Sequence, residues 1–252
     1  MRHILIYDGT YEGFFSAVFK IYQEKLGEVL ITRKNVHLLF THSKSIETCT
    51  QHASRVYNAF HKKVSKTSLN NFSAAFLSEL EGIENSMLDF MQYVFSNKSP
   101  VDTNFANEHI LRIAQVSKMV NREKHRMEAF TRFQLTKEAI YFATIEPDFN
   151  VLPLIASHFT RRYADQKWII YDVKRKFGLY YDLSKTEIVE IDFSDFAGDE
   201  NTAKEIFDPS EEQYQQLWKI YFKNVNIPSR RNMRLHLRHV PRRYWKYLTE
   251  KQ

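Results

Sequence analysis

Cysteine is almost missing from this sequence: Cys49 is the one thiol in 252 residues. An intrachain disulfide cannot form, and a thiolate zinc cluster cannot be built within one chain. That usage fits a reducing, cytoplasmic compartment. Glycine and proline are also scarce, at six residues each, which argues against a loop-rich or fibrous chain. The opening apolar run His3-Ile4-Leu5-Ile6-Tyr7 is too short for a signal peptide and meets Asp8 at once. No stretch approaches the roughly 20 apolar residues that span a bilayer, so no membrane partner is expected. The sequence holds no Walker loop, no Gly-x-Gly-x-x-Gly turn and no Gly-x-Ser-x-Gly elbow. Asp-x-Asp pairs and His-Asp-Asp runs are absent too. His236-x-x-His239 has too few companions to hold a metal, and no motif calls for a cofactor.

What the chain does have is apolar and aromatic mass. Hydrophobic residues make up 43% and aromatics 15%, with 20 Phe and 14 Tyr, ample for a buried core. The net charge of +6 and a pI near 9.2 bias the protein toward polyanions.

Read in order, residues 3–7 form a short buried strand and Asp8-Gly9-Thr10 a turn, with Thr10 placed to cap a helix at 11–25. Phe14, Val18, Ile21 and Tyr22 fall on one face of that helix. Gly13 in its first turn costs about 1 kcal/mol against Ala, so something approaches the backbone there, either a packed element or a ligand. A strand at 36–40 precedes helices at 45–64, 69–95 and 104–121, whose apolar stripes are core. His52, His61 and His109 lie scattered along them as surface groups.

Two strands at 128–135 and 139–145 follow, then Glu146-Pro147-Asp148, a helix at 151–164 and a hairpin of 168–173 with 177–182. A further strand at 187–193 leads into an acidic loop, 194–208. A helix from Pro209 to about 224 is expected to turn Tyr214, Leu217, Trp218 and Tyr221 inward. Residues 227–252 form a basic, aromatic arm. The fold class is α+β: an antiparallel or mixed sheet with helices packed on it and a helical N-terminal portion. One compact domain over 1–252 is expected, divisible at most into a mainly helical 1–122 and a 123–252 of sheet plus basic arm.

Tyr7-Asp8-Gly9-Thr10-Tyr11-Glu12-Gly13-Phe14, His125-Arg126-Met127-Glu128-Ala129-Phe130, Glu146-Pro147-Asp148 and Pro241-Arg242-Arg243-Tyr244-Trp245-Lys246-Tyr247-Leu248 occur in this order. The chain thereby resembles a bacterial family labelled probable DNA metabolism protein, built on a domain of unknown function. The resemblance implies a place in DNA metabolism or repair, beside a radical-SAM protein assigned to DNA repair. In some relatives the same domain is fused in front of a uracil-DNA-glycosylase-like domain, for which a chain ending at Gln252 leaves no room. Radical-SAM chemistry needs three clustered cysteines, so it would belong to a partner.

Three constellations are candidates for function. Arg230, Arg231, Arg234, Arg238, Arg242 and Arg243 offer forks for phosphates, with Trp245 available for stacking; the competing reading is a tail docked in an apolar groove. Arg126, Arg132, Arg161, Arg162 and Lys176 could make a second positive surface. Asp8, Glu12, Glu146, Asp148 and His158 supply the carboxylates and imidazole that acid–base or metal-assisted hydrolysis needs, though capping and turn roles account for them more simply. The expected function is an accessory protein that holds nucleic acid, DNA in the first instance, for a catalytic partner. The alternatives are an enzyme acting on nucleic acid and a pure protein-interaction subunit.

Overall fold

The computed structural model describes residues 3–33, 42–190, 207–225 and 233–251. The chain divides into two compact units, 1–121 and 122–252.

In the first unit, β1 (His3–Ile6) is the central strand of a parallel sheet, between β2 (Val29–Thr32) and β3 (His42–Ser45). The expected strand at 36–40 lies outside the described residues. The helix α1 (Tyr11–Glu24) starts at Thr10, whose hydroxyl accepts from the Gly13 N–H at 2.9 Å, and stops at Lys25 in the left-handed conformation. α2 (Thr50–His61), α3 (Lys66–Leu77), α4 (Ile83–Ser96) and the start of α5 (Glu108–Phe130) follow. Phe14, Phe15, Phe60, Phe72 and Phe90 are fully buried, and the Phe60 and Phe72 ring centres lie 4.7 Å apart.

The single helix expected at 69–95 is two helices. Ser78 turns its hydroxyl back to the Ala75 carbonyl at 2.6 Å, and Glu79 and Gly82 take positive φ of 54° and 76°. The local bond and the two left-handed residues end one helix before the next begins.

Gly13 has a specific cause. A Cβ there would lie 2.1 Å from Asp8 Oδ1 and 2.9 Å from Thr48 Oγ1. The Asp8 carboxylate rests against the first turn of α1 and accepts from the Thr10 N–H (2.9 Å), the Thr10 hydroxyl (2.7 Å) and the Thr48 hydroxyl (2.7 Å). Burial pushes the Asp8 carboxyl up, but the bonds from Thr48 and Thr10 outweigh it and hold it below the usual range. What approaches the backbone is thus a side chain of the preceding turn.

The second unit is a five-stranded sheet ordered β4 (Gln134–Leu135), β5 (Tyr141–Ile145), β6 (Trp168–Asp172), β7 (Phe177–Tyr181) and β8 (Thr186–Val189). β5 and β6 are parallel, joined through α6 (Leu152–Arg162); the other pairings are antiparallel. Trp168 is fully buried, stacked on Tyr181 at 5.5 Å and tilted against Phe133 and Phe159.

Two expectations need correction here. The strand at 128–135 shrinks to Gln134–Leu135, because α5 continues to Phe130. The helical stripe Ile113, Val116, Val120, Glu123, Met127 is buried throughout and outweighs the short alternation that imitates a strand. The helix at 209–224 forms as α7 (Ser210–Val225), but Tyr214, Leu217, Trp218 and Tyr221 are exposed. It is tied instead by polar contacts: Glu211 accepts from the Leu135 N–H at 2.9 Å, and the Trp218 indole donates to Glu250 at 2.9 Å. β8 ends at Val189, and the acidic loop lies largely outside the described residues. Among them, no helix is long and apolar enough to cross a membrane.

Gly13→Ala sets a gain of about 1 kcal/mol in helix propensity against the three bonds of Asp8, each worth about 1 kcal/mol or more. A net loss of about 1–3 kcal/mol is expected in urea unfolding. In an Asp8→Ala background the same substitution should be neutral or stabilising, and additive losses would count against the contact.

Candidate nucleic-acid interface

The second unit is built around a buried acid. Glu123 sits on α5 where the apolar stripe calls for a hydrophobic residue, and it is 1% exposed. Its carboxylate accepts from the Tyr244 hydroxyl in a short bond, from the Asp148 N–H at 3.0 Å, from Arg126 Nη1 at 3.3 Å and from Arg243 Nη2 at 3.4 Å. Two arginines and two neutral donors satisfy the charge, as burial requires. Burial pushes the Tyr244 hydroxyl up, and the bond to Glu123 adds to it, so the phenol keeps the proton it donates.

Tyr244 belongs to a 3-10 segment, Arg242–Tyr247, that docks on this acid with Tyr244 and Leu248 buried. The segment also grips Glu146-Pro147-Asp148. Arg243 pairs with Asp148 at 2.5 Å, while Lys246 (2.5 Å) and the Tyr247 hydroxyl (2.7 Å) reach Glu146. From the other side, Arg175 donates to the Pro147 and Asp148 carbonyls at 3.2 and 3.1 Å and pairs with buried Asp172 at 2.9 Å. Three of the sequence motifs are therefore one cluster in space.

Beside the cluster, a cleft of about 380 Å³ is lined by Arg122, His125 and Arg126 of α5 and by Arg238 and His239 of α8 (Met233–His239). Arg122, His125 and Arg126 fall at positions i, i+3 and i+4, on one helix face. Glu123 holds Arg126 from behind, and Glu128 lies 3.7 Å from His125. Among the described residues no carboxylate is within ion-pair distance of Arg122 or Arg238. Five basic residues therefore share the lining of one cleft.

A family model described as a domain of unknown function, DUF4130, matches residues 81–250. The chain belongs to this family. The DUF4130 match takes in α4, the whole second unit's hub and both walls of the cleft, and leaves the parallel sheet outside it. The description carries no activity. No curated protein matches the sequence.

Within the DUF4130 region the proposed phosphate ligands are variously occupied. Arg126 and Arg238 line the cleft. Arg132 is committed to Glu250 at 2.8 Å and lies over Trp218. Arg161 bonds the Ser157 carbonyl, Arg162 lies over Tyr163, and Lys176 takes the positive φ of the β6–β7 turn. Arg243 serves Glu123 and Asp148, whereas Arg242 lies over Trp245, whose indole donates to the Val240 carbonyl. Arg234 is exposed on α8. Arg230 and Arg231 lie outside the described residues.

The carboxylates proposed for hydrolysis are all engaged. Asp8 accepts from Thr10 and Thr48, Glu12 accepts from Thr50 at 3.2 Å, and Glu146 and Asp148 hold the 3-10 segment. His158 lies 3.9 Å from Glu128. Among the described residues no three His, Cys, Asp or Glu are grouped as a metal ion would require. Sequence reasoning missed Glu123 and Arg122, and weighed His239 only as half of a metal pair. The signal for Glu123 was present: an acid at an inward position of a helical stripe, three residues before an arginine.

Tyr244→Phe removes one donor from a buried carboxylate and should cost about 2 kcal/mol in urea unfolding, against almost nothing for the exposed Tyr221→Phe. The bonds from Lys246 and Tyr247 hold the Glu146 carboxyl below the usual range. A depressed carboxyl contributes stability above its unfolded pKa, about 4.3, and loses it as pH falls through the folded value. The stability difference between the native chain and Glu146→Gln should therefore be full at pH 7 and shrink below pH about 4. A difference that stays constant across that range would remove the ion pair from the account.

Proposed function

We propose that this protein is an accessory nucleic-acid-binding protein that presents its ligand to a separate catalytic partner. The observation that carries the reading is the cleft between α5 and α8, where Arg122, Arg126, Arg238, His125 and His239 meet without a lining acid. Arginine forks match phosphate oxygens in geometry as well as charge. The net charge of +6 favours the same ligands. The family resemblance supplies the context of DNA metabolism and the choice of a radical-SAM protein as partner. An acid–base enzyme draws less support, because each proposed carboxylate is already bonded within its own unit.

Binding of labelled single-stranded and duplex DNA, followed by fluorescence anisotropy across a salt series, tests the reading. Affinity should fall with salt, and each of Arg122→Gln and Arg238→Gln should lower the slope of log K against log salt by about 0.7 for single strands. Arg161→Gln, away from the cleft, should leave it unchanged. If the folded protein ignores DNA at low salt, the nucleic-acid reading is wrong and a role in protein assembly takes its place.

A further inference from the structure

The distribution of cations also speaks to which phosphate is bound. Three arginines of the second unit outside the cleft are spent on carboxylates: Arg132 on Glu250, Arg175 on Asp172, Arg243 on Glu123 and Asp148. Five basic residues instead line one cleft of about 380 Å³. A protein that follows a nucleic-acid backbone spreads its cations along it, one phosphate after another, with several contacts in series. Here two helices supply the lining, Arg122, His125 and Arg126 on one side and Arg238 and His239 on the other.

An internal phosphodiester suits this arrangement poorly. It carries one negative charge, and two of its oxygens are tied up in the chain that runs on in both directions. A terminal phosphomonoester has three free oxygens and a charge of about −1.5 to −2 at neutral pH. Three arginine forks can then donate at once to a single group. Arg126 is the fixed member, since Glu123 holds it. Arg122 and Arg238, with no carboxylate partner among the described residues, are left to close on the ligand.

Resting on the nucleic-acid reading above, we infer that the cleft between α5 and α8 recognises a phosphomonoester on a nucleoside, at a strand end or on a free nucleotide, in preference to a phosphodiester within a strand.

The test uses the full chain and 3′-labelled single-stranded DNA of one sequence, bearing either a 5′-phosphate or a 5′-hydroxyl, with a 5′-labelled pair for the 3′ end. Phosphorylation at one end should tighten binding about tenfold, the effect of an added charge near several cations. Arg122→Gln and Arg238→Gln, checked for folding by circular dichroism, should each reduce that preference, while Arg161→Gln should keep it. Competition by deoxyadenosine monophosphate separates the sources. Displacement at equal concentration assigns the site to a free nucleotide; displacement only in large excess assigns it to a strand end. Equal affinity for phosphorylated and unphosphorylated strands, lost in the cleft variants, would overturn the inference and leave nucleic-acid binding standing. A preference that survives both variants would place the phosphate elsewhere and overturn it too. No binding of any oligonucleotide would sink both readings.

Discussion

A carboxylate with almost no access to water is the constraint on which the second unit depends. An unpaired charge at the position of Glu123 would cost several kcal/mol, so the fold must bring it partners. It does so from three places: Arg126 one turn along the same helix, the Asp148 N–H at the end of the β5 segment, and Tyr244 with Arg243 from the C-terminal 3-10 segment. Removing any one leaves the buried charge short of a donor, at a cost of about 1–3 kcal/mol. A leucine there could pack equally well, but it would not select these partners or fix the direction of Arg126. Whether a buried charge adds net stability is doubtful in general; that it specifies a single arrangement of its neighbours is the better attested role.

The first unit repeats the device at the end of its parallel sheet. Glu84, 4% exposed, accepts from the Tyr7 hydroxyl at 3.1 Å and from Arg33 Nε at 2.6 Å. Arg33 also donates to the Tyr7 hydroxyl and the Phe76 carbonyl, with its guanidinium 4.6 Å from the Phe76 ring centre. Burial, then the charge of Glu84, pushes the Tyr7 hydroxyl up. In both units a tyrosine hydroxyl donates to a buried acid while arginine supplies the countercharge. Polar networks of this kind hold only when every member is satisfied.

Much of this was legible in the sequence. The helix opening at Thr10 carried a cap signal, the β6–β7 hairpin and α6 carried their apolar patterns, and the α+β class followed from them. The costly Gly13 marked a close approach, though only coordinates could say that Asp8 makes it. Failures came where two patterns overlap. Residues 128–135 alternate like a strand, yet Met127 belongs to the helical stripe that begins at Ile113, and burial of that stripe wins. At 78–82 a helical pattern runs through, and the interruption is written only in Ser78 and the left-handed Gly82. The apolar face of α7 reads as core by period alone, because period says which residues share a face and not whether anything covers it. The cleft was half legible: Arg126 and Arg238 could be singled out as cations, but their meeting depends on a contact between residues 123 and 244, and no local rule reaches that far.

That separation has a consequence in time. The hydroxyl that completes the shell of Glu123 lies 121 residues downstream. At a synthesis rate of roughly 5–20 residues per second, the acid waits roughly 6–24 s on the ribosome for its partner. Through that interval α5 carries an incompletely paired carboxylate among apolar side chains, so its C-terminal half must remain hydrated and unpacked. The shell of the acid and the grip on the Glu146-Pro147-Asp148 turn are complete only once the 3-10 segment has been made.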